Sequence, residues 1–320
     1  MKGRMWFESA QVELVRDAFP EWMAFLFATL SYLGSVWFVA PVVVLAYWFR
    51  DRHRFASWIG IVMGGYAVML GLKSVFATPR PDVGPAIAPE TLPPVLALLY
   101  APAVEVGTTS FPSGHAIAGT VVWTMLALEF DAVTNGRSGP TDATQSDGVG
   151  RRLAGAAAVV GLVSFARVGA GIHYPIDVIA GVAVGVCYVA VTLAIRNRAR
   201  TWGRHVATST MFAMGAVLSI VTFWIGGQPD TMALFGGCIG ALLAWQYATP
   251  PREPWPVTWR VLAHATAGIA ALATVALVLL VVDSAVVWLA VGFTGGVIVV
   301  GLPRFVGHAT VSSIRREVTG

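Results

Sequence analysis

Long apolar stretches separated by short polar segments run along the whole chain. A helix needs about 20 mostly apolar residues to cross a bilayer, and nine stretches reach or approach that length. They predict spans at about 22–49, 57–77, 113–130, 153–170, 176–195, 209–226, 231–248, 261–282 and 285–302. The first stretch is long and contains Pro41, which favours a tilted or kinked span. The pattern therefore predicts an all-α polytopic membrane protein with about nine transmembrane helices.

The segments between these stretches differ in character. Residues 6–20 mix apolar and charged side chains, so they form either a short interfacial helix or a frayed tail. The connection 79–112 is rich in proline and long enough to carry function. The connection 131–152 is polar and is predicted to be a flexible surface loop. Glycine pairs that allow close helix approach occur at Gly60/Gly64, Gly181/Gly185, Gly236/Gly240 and Gly292/Gly296.

Composition agrees with a membrane protein. Hydrophobic residues make up 56% of the chain and charged residues 12%, whereas soluble domains carry about 25% charged residues. A soluble fold of this length could not bury so much apolar surface, and a disordered chain would be far more polar. Cys187 and Cys238 both lie in apolar runs, which favours core positions over a disulfide or a metal site.

The basic residues indicate an orientation. When the spans alternate across the membrane, 15 of the 21 Lys and Arg residues fall on one side: Arg50, Arg52, Arg54, Arg137, Arg151, Arg152, Arg196, Arg198, Arg200, Arg204, Arg252, Arg260, Arg304, Arg315 and Arg316. The positive-inside rule makes that side cytoplasmic. The N-terminus is then expected outside and the C-terminus inside.

Three of the six outward basic residues lie at or just beyond the ends of apolar runs: Lys73, Arg80 and Arg167. Any one of them could be an interfacial anchor with a snorkelling side chain. They share the outward face with two imidazoles and a carboxylate, namely His115, His173 and Asp177. Several cations beside two imidazoles indicate an anion site, and a phosphate monoester fits such a site well.

The residues beside these cations suggest chemistry. In Pro112–His115, Ser113 can cap the third span, Gly114 permits close backbone approach, and His115 can donate a proton. The alternative is an ordinary capped helix start. Asp177 follows His173 by four residues, so the carboxylate can fix the imidazole tautomer and leave the other nitrogen as a nucleophile. A satisfied polar pair is the alternative here.

Three motifs carry a family resemblance. Residues 73–81 read K-x6-R-P, residues 112–115 read P-S-G-H, and residues 167–177 read R-x5-H-x3-D. In this order they resemble the type 2 phosphatidic acid phosphatase family, which shares its site with vanadium haloperoxidases and glucose-6-phosphatase. The resemblance covers about residues 20–200. It implies a phosphatase-type helical bundle in a domain 1–204, followed by four extra helices in a region 205–320 of unknown role.

The resemblance also implies roles for the site residues. His173 would be the nucleophile that forms a phosphohistidine, Asp177 would orient it, and His115 would protonate the leaving alcohol and later activate water. The phosphoryl group would be bound by Lys73, Arg80, Ser113, Gly114 and Arg167. No metal or other cofactor is implied, and the outward side has no carboxylate cluster suited to magnesium.

One position departs from the family pattern. The family usually has serine before the third-motif arginine, but this chain has Ala166. Ser164 lies two residues earlier, about 200° around a helix, and cannot simply replace it. One hydrogen bond to the phosphate or its scaffold is therefore expected to be missing, which puts turnover in question.

These features predict a metal-independent phosphatase of the cell membrane. It would act on a lipid phosphate or an isoprenoid phosphate or diphosphate at the extracytoplasmic surface, with no nucleic-acid partner. Two alternatives stay open: a phosphotransferase that uses an acceptor alcohol, and a transporter that binds anions without cleaving them. In the 79–112 connection, a simple polar loop is favoured over head-group contacts for four residues: Glu105, Thr108, Thr109 and Ser110.

Overall fold

The computed structural model describes residues 6–105, 107–135, 143–247, 258–281 and 284–319, and these ranges contain helices and no strands. A single 3-10 turn covers Pro89–Thr91. The α-helices are α1 (Ser9–Asp17), α2 (Met23–Tyr32), α3 (Val36–Phe49), α4 (Arg52–Phe76), α5 (Pro94–Val104), α6 (Gly114–Asn135), α7 (Ala143–Gly169), α8 (Pro175–Arg200), α9 (Arg204–Gly226), α10 (Pro229–Tyr247), α11 (Trp259–Val281) and α12 (Ala285–Thr319). The predicted all-α class is confirmed.

The predicted count of nine spans is not confirmed. Within the described ranges, six segments are long and apolar enough to cross a membrane: Met23–Phe49, Arg52–Phe76, Gly148–Gly169, Pro175–Arg200, Arg204–Gly226 and Ala285–Arg304. The predicted spans at 113–130, 231–248 and 261–282 do form helices. Two of these, α6 and α11, have only shorter apolar stretches, Gly114–Phe130 and Val261–Thr274.

The first predicted span is interrupted before Pro41. It consists of α2 and α3, which are separated by a turn at residues 33–35, while Pro41 lies inside α3. The turn contains Gly34, where a Cβ atom would lie 2.6 Å from the backbone oxygen of His115. Close packing against the start of α6 therefore requires glycine here, and the Trp123 indole of α6 donates to the Leu33 carbonyl at 3.0 Å.

The connections also differ from the prediction. The 79–112 connection contains the 3-10 turn and α5, which the proline pattern did not indicate. Most of the predicted 131–152 loop is helical, because α6 continues to Asn135 and α7 begins at Ala143. Polar residues can continue a helix beyond an apolar span, since they do not disturb its backbone hydrogen bonds. Residues 136–142 lie outside the described ranges. Helix α1 confirms that a short helix precedes the first span.

The chain divides into two compact units. The first comprises Met1–Pro41, Met69–Phe130 and Ser138–Val191, and the second comprises Val42–Val68, Asp131–Arg137 and Thr192–Gly320. In the first unit, α2 packs against α5 and α7, and α1 packs against α7. All three motifs lie in this unit. The predicted division into 1–204 and 205–320 stays a prediction.

Glycines hold helices together in the second unit. Helix α10 packs against α9 and α12. A Cβ atom on Gly292 would lie 2.0 Å from the Ala233 carbonyl oxygen, and one on Gly240 would lie 2.1 Å from the Phe293 carbonyl oxygen. The two backbones are therefore in direct contact, which is the close approach that the glycine spacing predicted.

Candidate active site

The end of α4 positions the first motif at the candidate site. Ala77 follows the helix with φ +45°, a left-handed conformation that ends it three residues before Arg80. Lys73, in the last turn of α4, is buried. Its Nζ donates to the carbonyl oxygen of Thr109 and lies 3.5 Å from that of Ser110. The lysine is thus fixed by the chain just before the second motif.

Arg80 connects the same chain segment to the third motif. Its Nε donates to the Thr108 carbonyl at 2.7 Å, and its Nη1 donates to the Ile172 carbonyl at 2.7 Å. The same Nη1 lies 3.2 Å from Nε2 of His173. Burial lowers the pKa of the Arg80 guanidinium to about 10, and the charge of Asp177 opposes this effect. Arg80 therefore stays cationic at neutral pH.

The start of α8 holds the third-motif histidine and aspartate together. Nδ1 of His173 lies 3.1 Å from Oδ2 of Asp177, and the same oxygen accepts the backbone N–H of Tyr174 at 2.8 Å. A carboxylate oxygen only accepts, so the proton of the neutral ring belongs on Nδ1. The Arg80 contact agrees, because a guanidinium only donates and Nε2 must accept. The geometry thus leaves the lone pair of Nε2 directed at the cations.

The environment of His173 favours a neutral ring. The side chain is buried, and burial is the largest cause that holds the pKa of the His173 imidazole well below its ordinary 6.5. The positive charges of Arg167, Arg80 and Lys73, with a smaller effect of His115, lower this pKa further. A buried imidazole among cations cannot readily accept another proton. It is therefore available as a nucleophile at neutral pH.

The second motif lies against the third. The backbone N–H of Ser113 donates to the Asp177 carbonyl at 2.9 Å. The Ser113 hydroxyl is buried and has no hydrogen-bond partner within the described ranges. At Gly114 a Cβ atom would lie 2.3 Å from Sδ of Met69, so a larger residue would require the Met69 side chain to move. His115 follows in the first turn of α6 and is half-buried.

Arg167 is a fully buried cation at the end of α7. Its Nη1 donates to the Ala103 carbonyl in α5 at 2.6 Å. Its Nε and Nη2 atoms have no hydrogen-bond partner among the described residues. Leaving buried charged donors unsatisfied is costly, so these atoms and the Ser113 hydroxyl are suited to an anion. Arg167 acts electrostatically on His173, but no hydrogen bond between their side chains is observed in the described ranges.

The departure at Ala166 has a structural reason. Ala166 is fully buried in an apolar cluster with residues of α2 and α5, including Phe27, Tyr100 and Ala103. A hydroxyl there would lie among apolar atoms. Ser164 is also buried, and its hydroxyl has no partner within the described part of the chain. The chain therefore uses the face of α7 that carries Ala166 for packing.

Sequence reasoning missed Ser110 as a site residue. The interpretation of 79–112 as a simple polar loop is wrong at this position, because the Ser110 hydroxyl donates to Oδ2 of Asp177 and lies 3.4 Å from Nδ1 of His173. In the same segment, the carbonyl of Thr108 accepts a hydrogen bond from Arg80, and the carbonyl of Thr109 accepts one from Lys73. The only available signal was that these residues directly precede the second motif.

The described side chains of the candidate site are mainly cations and imidazoles. Among the residues that the structure describes, no group of three or more His, Cys, Asp or Glu side chains could hold a metal ion. The cations and the His173–Asp177 pair instead form a positively charged site. The expectation that no metal is required stays a prediction for experiment.

The fold and the site together define a class: a multi-span helical membrane protein with a buried cationic site around a histidine–aspartate pair. Residues 54–201 match the sequence model of the PAP2 superfamily, so the predicted resemblance is confirmed over this part of the chain. All three motifs fall within the matched residues.

Comparison with solved structures gives a weaker likeness. LpxE from Aquifex aeolicus, known from a crystal structure, is 20% identical over 58% of this chain and 93% of its own chain, with a TM-score of 0.39. At this score the likeness supports no further conclusion. No curated protein matches the chain.

Proposed function

We propose that the protein is a membrane phosphatase that hydrolyses a lipid phosphate or an isoprenoid phosphate or diphosphate through a phosphohistidine. The observation that carries this proposal is the position of the His173 ring, whose Nδ1 lies 3.1 Å from Oδ2 of Asp177 and whose Nε2 lies 3.2 Å from Nη1 of Arg80. A nucleophile needs a free lone pair near the phosphorus atom, and cations nearby keep that lone pair unprotonated. The match of residues 54–201 to the PAP2 superfamily supports the same reaction class.

In the first step, the phosphoryl group binds among the cations. Its oxygens accept from the Nε and Nη2 atoms of Arg167 and from the Ser113 hydroxyl, which have no other partner in the described ranges. Arg80 then donates to a phosphoryl oxygen and no longer to Nε2 of His173, so the lone pair of Nε2 becomes free to attack. Neutralisation of the phosphoryl oxygens by positioned donors is the main contribution that a protein makes to this reaction.

Phosphoryl transfer then proceeds in two displacements. Nε2 of His173 forms a bond to phosphorus while the bond to the leaving oxygen breaks, and His115 gives that oxygen a proton. Water next attacks phosphorus, His115 takes a proton from the water, and the phosphorus–nitrogen bond breaks. Asp177 stabilises the imidazole as its charge changes. Each step restores the protonation state that the next one needs.

The membrane context supports a substrate with a hydrocarbon tail. The motifs lie at the ends of apolar helices α4, α6, α7 and α8, where a lipid can keep its tail in the bilayer and present its phosphate. The charge asymmetry of the sequence supports an extracytoplasmic site.

The test is phosphate release by the purified protein in detergent, with EDTA, from a panel of lipid and isoprenoid phosphates. We expect release by the wild type and at least about a 1,000-fold loss in His173→Ala, since the nucleophile is removed. His264→Ala, which changes an exposed histidine on α11, is the matched control and should keep full activity. Adding an acceptor alcohol distinguishes hydrolysis from transfer. Release that survives in His173→Ala would rule out the phosphohistidine route.

A further inference from the structure

Ser110 lies next to the candidate nucleophile, His173, and to Asp177. Its side chain is fully buried, and its backbone N–H donates to the Thr78 carbonyl at 2.8 Å, beside the first motif. Its hydroxyl donates to Oδ2 of Asp177 and lies 3.4 Å from Nδ1 of His173. One residue outside the three motifs thus contacts both members of the histidine–aspartate pair.

The hydrogen-bond roles at this point are determined by chemistry. Oδ2 of Asp177 is approached by three groups: the Ser110 hydroxyl, the Tyr174 backbone N–H and Nδ1 of His173. A carboxylate oxygen can only accept, so all three approaching groups donate to it. With its hydrogen directed at Asp177, the Ser110 oxygen presents a lone pair towards the Nδ1–H of His173. The hydroxyl therefore favours the same tautomer as the carboxylate.

We propose that Ser110 is a positioning residue, which holds Asp177 in place and through it keeps the His173 proton on Nδ1. The inference rests on the proposed function for its catalytic consequence, but the tautomer itself is a property of the free protein. Ser110 does not bind the phosphoryl group in this scheme, because its hydrogen bond is directed to Asp177 on the Nδ1 side of the ring, opposite the nucleophilic Nε2.

The kinetic test compares Ser110→Ala with Ser31→Ala. Ser31 is an equally buried serine in α2 whose hydroxyl bonds the Phe27 carbonyl at 2.8 Å, so it is a matched control. We expect kcat to fall about 10- to 100-fold in Ser110→Ala, the range for loss of a hydrogen bond to a charged group. KM and the inhibition constant of inorganic phosphate should stay within about twofold of wild type, because the anion-binding donors are intact. Ser31→Ala should match wild type.

The second measurement does not depend on turnover. In protein labelled with ¹⁵N-histidine, NMR reports which ring nitrogen carries the proton, and His173→Ala identifies the His173 signals among the six histidines. We expect the Nδ1–H tautomer in wild type and in Ser31→Ala. In Ser110→Ala the His173 signals should move towards a mixture of tautomers, while the thermal unfolding midpoint shows that the protein is folded.

The outcomes separate the two proposals. Unchanged His173 signals in Ser110→Ala overturn the positioning role, whatever happens to kcat. A rise in the phosphate inhibition constant parallel to the loss of kcat also overturns it, since Ser110 would then bind the anion. If the wild type releases no phosphate from any substrate, the proposed function fails, and a shift of the His173 signals in Ser110→Ala alone would still support the positioning role.

Discussion

At the scale of single residues, the site keeps its positive charge because its cations are bound by carbonyls. Lys73, Arg80 and Arg167 all donate to backbone oxygens, namely those of Thr109, Thr108 and Ala103. Carbonyl dipoles solvate a buried cation without neutralising it. An entering phosphate therefore meets three basic side chains, whose positive charge also favours a neutral His173.

The first prediction concerns pH. Attack needs an unprotonated Nε2, and burial together with the cations holds the pKa of His173 below 6.5. The neutral form therefore persists as pH falls, and the acid limb of kcat/KM should lie below pH 6.5 in wild type. In Arg80→Gln one of the charges that lower this pKa is gone, so the limb should move to higher pH. Initial rates across the pH range measure both effects.

Arg151→Gln is the control for this experiment. Arg151 is exposed on α7, sixteen residues before Arg167 in the same helix, which corresponds to about 24 Å. Its charge is not among those that act on His173. Substrate ionisation is the same for all three proteins, so a shift of the acid limb that is found only in Arg80→Gln reflects ionisation of an enzyme group. An equal shift in both variants, or none in either, would contradict the electrostatic explanation.

The second prediction concerns the turn before His173. Gly171 has φ +78°, and a Cβ atom on it would lie 2.0 Å from the Gly84 carbonyl oxygen. Gly171→Ala should lower phosphate release at least about 10-fold and lower the unfolding midpoint, because the left-handed conformation costs about 1–2 kcal/mol and the clash displaces the turn. Gly155→Ala, in α7 where the described part of the chain places no neighbouring atom within 4 Å of the added methyl carbon, should unfold at the same temperature or slightly higher. Equal phosphate release and equal unfolding midpoints in the two variants would mean that the turn accommodates the added methyl group.

The sequence was informative about residues that lie in local motifs, and less so about contacts between distant ones. The spacing of His173 and Asp177 indicated their contact, because four residues span one helical turn. Ser110 and Asp177 are 67 positions apart, and no periodicity connects them. Ala166 could be recognised as a departure from the family, but its apolar surroundings depend on α5, which the sequence did not predict.

At the scale of secondary-structure elements, apolar stretches predicted where helices occur better than where they break. The interruption between α2 and α3 depends on the contact of Gly34 with the His115 backbone, which is a tertiary contact. Helix α5 was missed because its sequence contains Pro94 and Pro102. Pro94 stands at the first position of the helix, where its missing N–H is not needed.

The third prediction tests the contact between α10 and α12. An added methyl group on Gly292 would meet the Ala233 carbonyl oxygen at 2.0 Å, so the two helices would have to separate. Gly292→Ala should destabilise the protein by about 1–3 kcal/mol, the usual cost of overpacking. Gly295→Ala changes the same helix where the nearest neighbouring atom among the described residues, Cδ2 of Leu272, is 3.8 Å away, and should be neutral. Thermal unfolding followed by circular dichroism compares them, and equal midpoints would contradict backbone contact.

At the scale of the whole molecule, composition determined the class but not the number of spans. A charged fraction of 12% predicts a membrane protein regardless of which helices cross the bilayer. The number of spans depends on each helix separately, and α6 shows the difficulty. Its backbone leaves helical geometry at Glu129, where φ is −113°, so the apolar part of the helix ends near Phe130 while the helix itself continues.

The last prediction concerns orientation, which follows from the charges at the two ends of α8. This helix has 26 residues, about 39 Å, with Asp177 in its first turn and Arg198 and Arg200 in its last turn. The positive-inside rule places the arginine end in the cytoplasm and the Asp177 end, with the site, outside. In a Cys187→Ser background, a membrane-impermeant maleimide applied to intact cells should label Glu90→Cys, in the exposed 3-10 turn, but not Thr201→Cys. Thr201→Cys should react only after permeabilisation, and the reverse pattern would place the site in the cytoplasm and exclude an extracytoplasmic substrate.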